Sequence, residues 1–214
     1  MELAIPEGFA PENYPLFWLL GNWRGGGVLQ YPVIEAAAYM HEINVDFIPD
    51  QPYLKFESAI WLAEETADVV AQDVPGVARY EQLTKDYLWS ISSGYLRVNP
   101  KALPREDGAV EVEAMLSNPN GTAQVWFGLV KNGKLQLVTD AVARTESGAD
   151  ISGAKLMLGK LGSELLYAYE LEAFGQPMGD YLAGRLSPEA SLNTTGTSLD
   201  PEGSSQKDFP EDVL

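Results

Sequence analysis

The residues able to do chemistry in this chain are few, and that scarcity narrows the chemistry. There is one histidine, His41, and no cysteine. Thiolate nucleophiles, disulfides, iron–sulfur clusters and thiolate zinc sites are excluded, as is a multi-histidine metal site built from this chain alone. A serine triad would have to recruit His41, and Ser92-Ser93-Gly94 lacks the G-x-S-x-G spacing of a nucleophile elbow. Carboxylate pairs such as Glu64-Glu65 and Glu111/Glu113 are plentiful. With 31 acidic residues in 214, such pairs read as solvated faces. No catalytic residue and no metal ligand is assigned from these patterns.

A glycine run is more distinctive. In Gly21-Asn22-Trp23-Arg24-Gly25-Gly26-Gly27, three glycines share one face of an extended segment with Trp23. Such a face lets a neighbouring backbone approach closely or lets a sheet bend sharply, with the indole filling the vacated space. The run leads into strand and not into helix, so it is no phosphate cradle.

The elements around it are almost all strands. Ala38–Phe47 alternates, with Tyr39, His41, Ile43, Val45 and Phe47 on one face. Tyr53–Leu62, Tyr87–Val98, the run from Val110 to Leu116, Gln124–Val130, Leu135–Ala143, Lys155–Leu158 and Leu165–Ala173 continue the pattern. Turn chemistry separates them, and Asn132-Gly133 between two alternating runs predicts a tight hairpin. Before the glycines, Pro15 and the apolar Leu16–Leu20 predict a short helix stopped by Gly21, which must cap something larger. About ten antiparallel strands at short spacing predict an all-β fold, a closed up-and-down barrel or a sandwich. A barrel of that size encloses a cavity, and hence a small-molecule pocket.

The helix-to-strand motif FWLLGNWRGGG, with Gly21, Trp23, Gly25 and Gly27 as its fixed points, resembles the opening signature of the nitrobindin family. Further segments follow in the family's order: Tyr31-Pro32-Val33-Ile34, Tyr39-Met40-His41-Glu42-Ile43, Gln51-Pro52-Tyr53-Leu54 with Trp61, Ser93-Gly94-Tyr95-Leu96-Arg97, and the close from Gln176 to Leu186. The resemblance covers residues 15–186. It implies a ten-stranded lipocalin-like barrel with one open mouth. It further implies ferric haem b held through a histidine of the closing motif, with nitric oxide binding and isomerisation of peroxynitrite to nitrate.

The chain departs from the family at that histidine, where it carries Tyr181. A phenol with a reference pKa of about 10 stays protonated unless its surroundings favour the anion, whereas neutral imidazole donates readily to iron. Tyrosinate does ligate haem in some proteins. Three roles therefore stand open for Tyr181: a barrel-wall aromatic with iron ligation lost, a tyrosinate ligand, or a bystander to haem held by apolar contact or by Met178. Arg185, four residues on, is expected on the same face as Tyr181 but too far for a direct bond. His41 reads as a structural or surface residue, with a place on the pocket wall as the alternative. The expectation is a pocket for an apolar small molecule with no resident cofactor; the alternative is a haem b protein acting on peroxynitrite.

Composition sets the remaining bounds. A net charge of -17 opposes attraction to nucleic acid or anionic lipid. Tyr14 to Leu20 is too short for a membrane span and lacks the basic flank of a secretion signal, which points to the cytoplasm. Residues 1–14 read as an arm. Residues 187–214, with six acids, one lysine and little to bury, read as a disordered acidic tail.

Overall fold

The structure, a computed structural model, describes residues 5–71 and 73–189. Ten strands close into one antiparallel barrel, each paired with its neighbours in sequence and β1 paired with β10. They are β1 (Gly21–Tyr31), β2 (Ile34–Phe47), β3 (Leu54–Ala63), β4 (Lys85–Val98), β5 (Val110–Asn118), β6 (Thr122–Lys131), β7 (Lys134–Arg144), β8 (Ile151–Leu161), β9 (Glu164–Ala173) and β10 (Gln176–Pro188). Closure decides between barrel and sandwich, a choice that the period-two pattern left open. Asn132 and Gly133 adopt φ of 49° and 71°, the left-handed pair that a two-residue hairpin between β6 and β7 requires.

The short apolar helix is present but differs from the expected one. It is a 3-10 helix spanning Pro11–Leu19, so it starts inside the predicted arm, and Pro15 lies within it. Proline at the first position supplies the fixed φ of a helical turn and has no N–H to leave unpaired. Leu16 and Leu19 are fully buried, each contributing about 1.5–3 kcal/mol. The helix stops up the barrel end that carries the β2–β3 connection: Asn13 Nδ2 donates to Gln51 O at 2.9 Å, and Phe9 packs edge-on to Phe17 and Phe47. Trp23 Nε1 donates to Leu19 O at 2.8 Å and so ties the plug to β1.

Two of the three glycines on the Trp23 face of β1 do what their pattern predicts, whereas a Cβ at Gly21 would meet nothing within 4 Å. A Cβ at Gly25 would lie 1.9 Å from Arg185 O, and one at Gly27 would lie 1.9 Å from Ala183 O. Here β10 crosses β1 too closely for side chains. Across from Gly27, Tyr39 turns its hydroxyl to Gly184, where a Cβ would come within 2.6 Å of it.

One run of burial has no counterpart in simple alternation. Ala38, Tyr39, Met40 and His41 are all buried. Tyr39 joins the barrel core, whereas Ala38 and Met40 pack outside it with Val70 and Leu83. The β3–β4 connection, with its 3-10 turn Ala67–Ala71 and helix α1 (Gly76–Glu81), makes this outer cover. β10 also runs to Pro188, two residues past the expected boundary, and Ser187 is buried and hydrogen-bonded to Glu164 and to Val77 N. The rest of the predicted tail, from residue 190 on, lies outside the described residues.

Candidate functional site

At the end opposite the plug the barrel opens on a cavity of about 580 Å³, within the usual range for small-molecule pockets. The β1–β2 turn (Val33, Ile34), the β5–β6 turn (Asn118 to Asn120) and Phe174 of the β9–β10 turn form its rim. Tyr167, Tyr169, Tyr181 and Trp89 line its wall, with Ser58, Ser90, Ser92 and Gln124 as the polar contributors. None of the described residues lining it is acidic, basic or histidine.

Tyr181 reaches this cavity through an irregularity. In the β9–β10 ladder Asp180 pairs with Glu170 and Leu182 with Tyr169, so Tyr181 is an extra residue in a bulge. The bulge lets Tyr181 and Leu182 both line the cavity. It also reverses the strand phase beyond it. Arg185 therefore does not share a face with Tyr181, as regular alternation predicts. It points outward to Asp73 (2.8 Å) and Glu164 (3.4 Å).

The indole of Trp89 donates to Tyr181 Oη at 2.5 Å. The rings of Tyr31 and Tyr169 lie edge-on to Tyr181, with centroids at 5.7 and 6.0 Å. Burial is the largest influence on the phenol and raises its pKa. The Trp89 N–H pulls the other way, and Tyr31 adds to the rise.

His41 lies deeper. It is fully buried, with Nε2 2.8 Å from Ser58 Oγ and its ring edge-on to Tyr167 at 4.5 Å. Nδ1 has no partner among the described residues. It is neither a surface residue nor among the residues lining the cavity; Ser58 stands between them. Burial drives its pKa down to about 3, with Glu42 a smaller opposing influence. The folded imidazole thus stays neutral, whereas the unfolded one protonates near 6.5. As pH falls through that interval, only the unfolded state takes up the proton, so stability drops by about 1.4 kcal/mol per pH unit for this group. Urea melts of the native protein and of His41→Gln between about pH 7 and pH 5 check this. The native protein is expected to lose more stability than the variant; parallel profiles would refute it.

Met178, the remaining candidate donor, is half-buried beside Gly153 and does not line the cavity. Gly21, Trp23, Gly25 and Gly27 shape the barrel wall, and none of them faces this mouth. Sequence reasoning missed Trp89 and Ser58 as partners, because pairs 92 and 17 residues apart leave no local spacing to read. Gly179, an isolated glycine next to the bulge, is the signal that could have revealed the phase change.

A closed up-and-down barrel plugged at one end and open to an apolar cavity at the other defines a small-molecule-binding barrel. The family model described as "THAP4-like, heme-binding beta-barrel domain" matches residues 12–187, and this chain belongs to that family, the nitrobindins. It is 34% identical to a "Ferric nitrobindin-like protein" of Beutenbergia cavernae, over 87% of this chain and 99% of the relative. It is 33% identical to a "Peroxynitrite isomerase" of Nocardioides sp., over 87% of this chain and 98% of the relative. The crystal structure of Rv2717c from M. tuberculosis superposes with a TM-score of 0.64 at 22% identity, covering 85% of this chain and 99% of that one, and shows the same fold.

Proposed function

We propose that this chain is a nitrobindin-like pocket protein that holds a small apolar molecule and has lost the bond from protein to haem iron. One observation carries the reading. Tyr181, which the resemblance of the closing motif sets at the family's axial-histidine position, accepts a hydrogen bond from Trp89 in a pocket lined by no cation among the described residues. Burial favours the neutral phenol there, and no positive charge among the described residues lines the cavity to oppose it. A neutral phenol is a poor donor to ferric iron.

The other donors fit no better. His41 Nε2 is engaged by Ser58 behind the wall, and Met178 does not reach the cavity. The residues present therefore do not fit an iron-ligated haem. The surplus of acid and the lack of cysteine support a cytoplasmic setting and argue against nucleic acid as a partner. No helix among the described residues is long and apolar enough to cross a membrane.

The relatives named peroxynitrite isomerase favour the second reading, a ferric haem protein that converts peroxynitrite to nitrate. Titration with hemin separates the two. The expected result is no shifted Soret band and loss of the hemin on gel filtration. Stoichiometric retention that Tyr181→Phe abolishes would overturn the reading in favour of a tyrosinate-ligated haem.

A further inference from the structure

The hydrogen-bond polarity of the pocket defines its occupant more narrowly. Indole N–H is a donor without acceptor capacity, so Tyr181 Oη must be the acceptor in the Trp89 pair. The phenol's own proton is then uncommitted, and Tyr181 lines the cavity.

Ser58 repeats the arrangement. His41 is neutral, so one ring nitrogen carries hydrogen and the other does not. With the hydrogen on Nδ1, a fully buried N–H would have no partner among the described residues. With the hydrogen on Nε2, the atom left over is an acceptor, the less costly orphan. The Nε2–H tautomer donates to Ser58 Oγ, and the serine proton is released toward the cavity that Ser58 lines.

Two hydroxyls that line the cavity are thus held as donors, one by Trp89 of the wall and one by His41 behind it. The walls between them are aromatic, with Tyr167 and Tyr169 nearly parallel at 10° and 6.4 Å. No charged side chain among the described residues lines the space. An ion would lose its hydration here without a counter-charge.

We propose that the pocket takes a neutral, planar apolar molecule bearing carbonyl-type acceptor oxygens, recognised by the hydroxyls of Tyr181 and Ser58. The proposal rests on the reading of the chain as a pocket protein without an iron ligand.

Three probes of one ring system test it by isothermal titration: fluorenone, which has a carbonyl, fluorene, which has none, and fluorenone-2-carboxylate, which is charged. Fluorenone is expected to bind about three- to tenfold more tightly than fluorene, the range of a net hydrogen bond. The carboxylate is expected to bind about tenfold or more weakly than fluorenone. The preference for fluorenone vanishes in the double variant Tyr181→Phe, Ser58→Ala. Fluorene affinity is retained in that variant, which reports an intact fold. The carbonyl stretch of bound fluorenone lies below its value in an apolar solvent and returns toward it in the double variant.

Equal binding of fluorenone and fluorene to the native protein, or a preference that survives the double substitution, overturns the proposal and leaves the apolar pocket standing. Failure of all three probes to bind overturns both. Hemin retention through Tyr181 overturns the underlying reading by a separate signal.

Discussion

Replacing Tyr181 with histidine is expected to give a protein that retains ferric haem in stoichiometric amount, with a Soret band that the native chain does not show. The argument is one of opposite consequences from one cause. Desolvation in this cavity disfavours any ionised group. For the phenol, that preserves the protonated form, which is a poor ligand. For an imidazole in the same place, it preserves the unprotonated form, which donates to iron at neutral pH. The bulge that turns Tyr181 inward is a property of the β9–β10 ladder and places whichever side chain stands there at the cavity. The smaller imidazole leaves the Trp89 N–H to water, since a neutral ring that gives one nitrogen to iron carries hydrogen on the other. Hemin titration followed by gel filtration measures the gain. A folded Tyr181→His variant that still sheds haem would mean that the cavity walls, and not the donor alone, exclude the porphyrin.

The second large effect is structural. Gly25→Ala is expected to destabilise the barrel by about 3 kcal/mol, the upper end of the overpacking range. For a domain of this size that is a drop of about 6–12 °C in melting temperature. The added methyl would lie 1.9 Å from Arg185 O and 2.7 Å from Leu186 Cα. These are backbone atoms of the closing strand, so no side-chain rotation relieves the clash. Gly159→Ala is the control, since a Cβ there meets nothing within 4 Å. Thermal denaturation followed by circular dichroism compares the two. Equal melting points would refute the close approach of β1 and β10.

Most of the barrel was legible in the chain, because a strand buried on one face writes its period into the sequence. The hairpin at Asn132-Gly133 and the glycine face around Trp23 each had a local cause, and each stands in the structure. What was not legible arose from contacts between distant segments. Ala38 and Met40 are buried because a connection folds back over the outside of β2, which alternation along β2 cannot announce. Arg185 was set on the wrong face because one extra residue at Tyr181 shifts everything after it. The site itself depends on Trp89 meeting Tyr181 and on Ser58 meeting His41. The first joins β4 to β10 and needs closure of the barrel, whereas the second is a diagonal contact between the paired strands β2 and β3.

The seam of the cylinder joins its first and last strands, with Trp23 opposite Pro188 and Leu29 opposite Leu182. A nascent chain on the ribosome cannot seal the wall until β10 has been synthesised. Until then β1 presents an open edge, its glycine face offers little to hold it, and pairing at such sequence separation is slow to form. The covering helix α1 sits against this same pair of strands, with Val77 N donating to Ser187 of β10 and Gly76 N donating to Glu164 of the neighbouring β9. It acts as a clasp over the last joint to close.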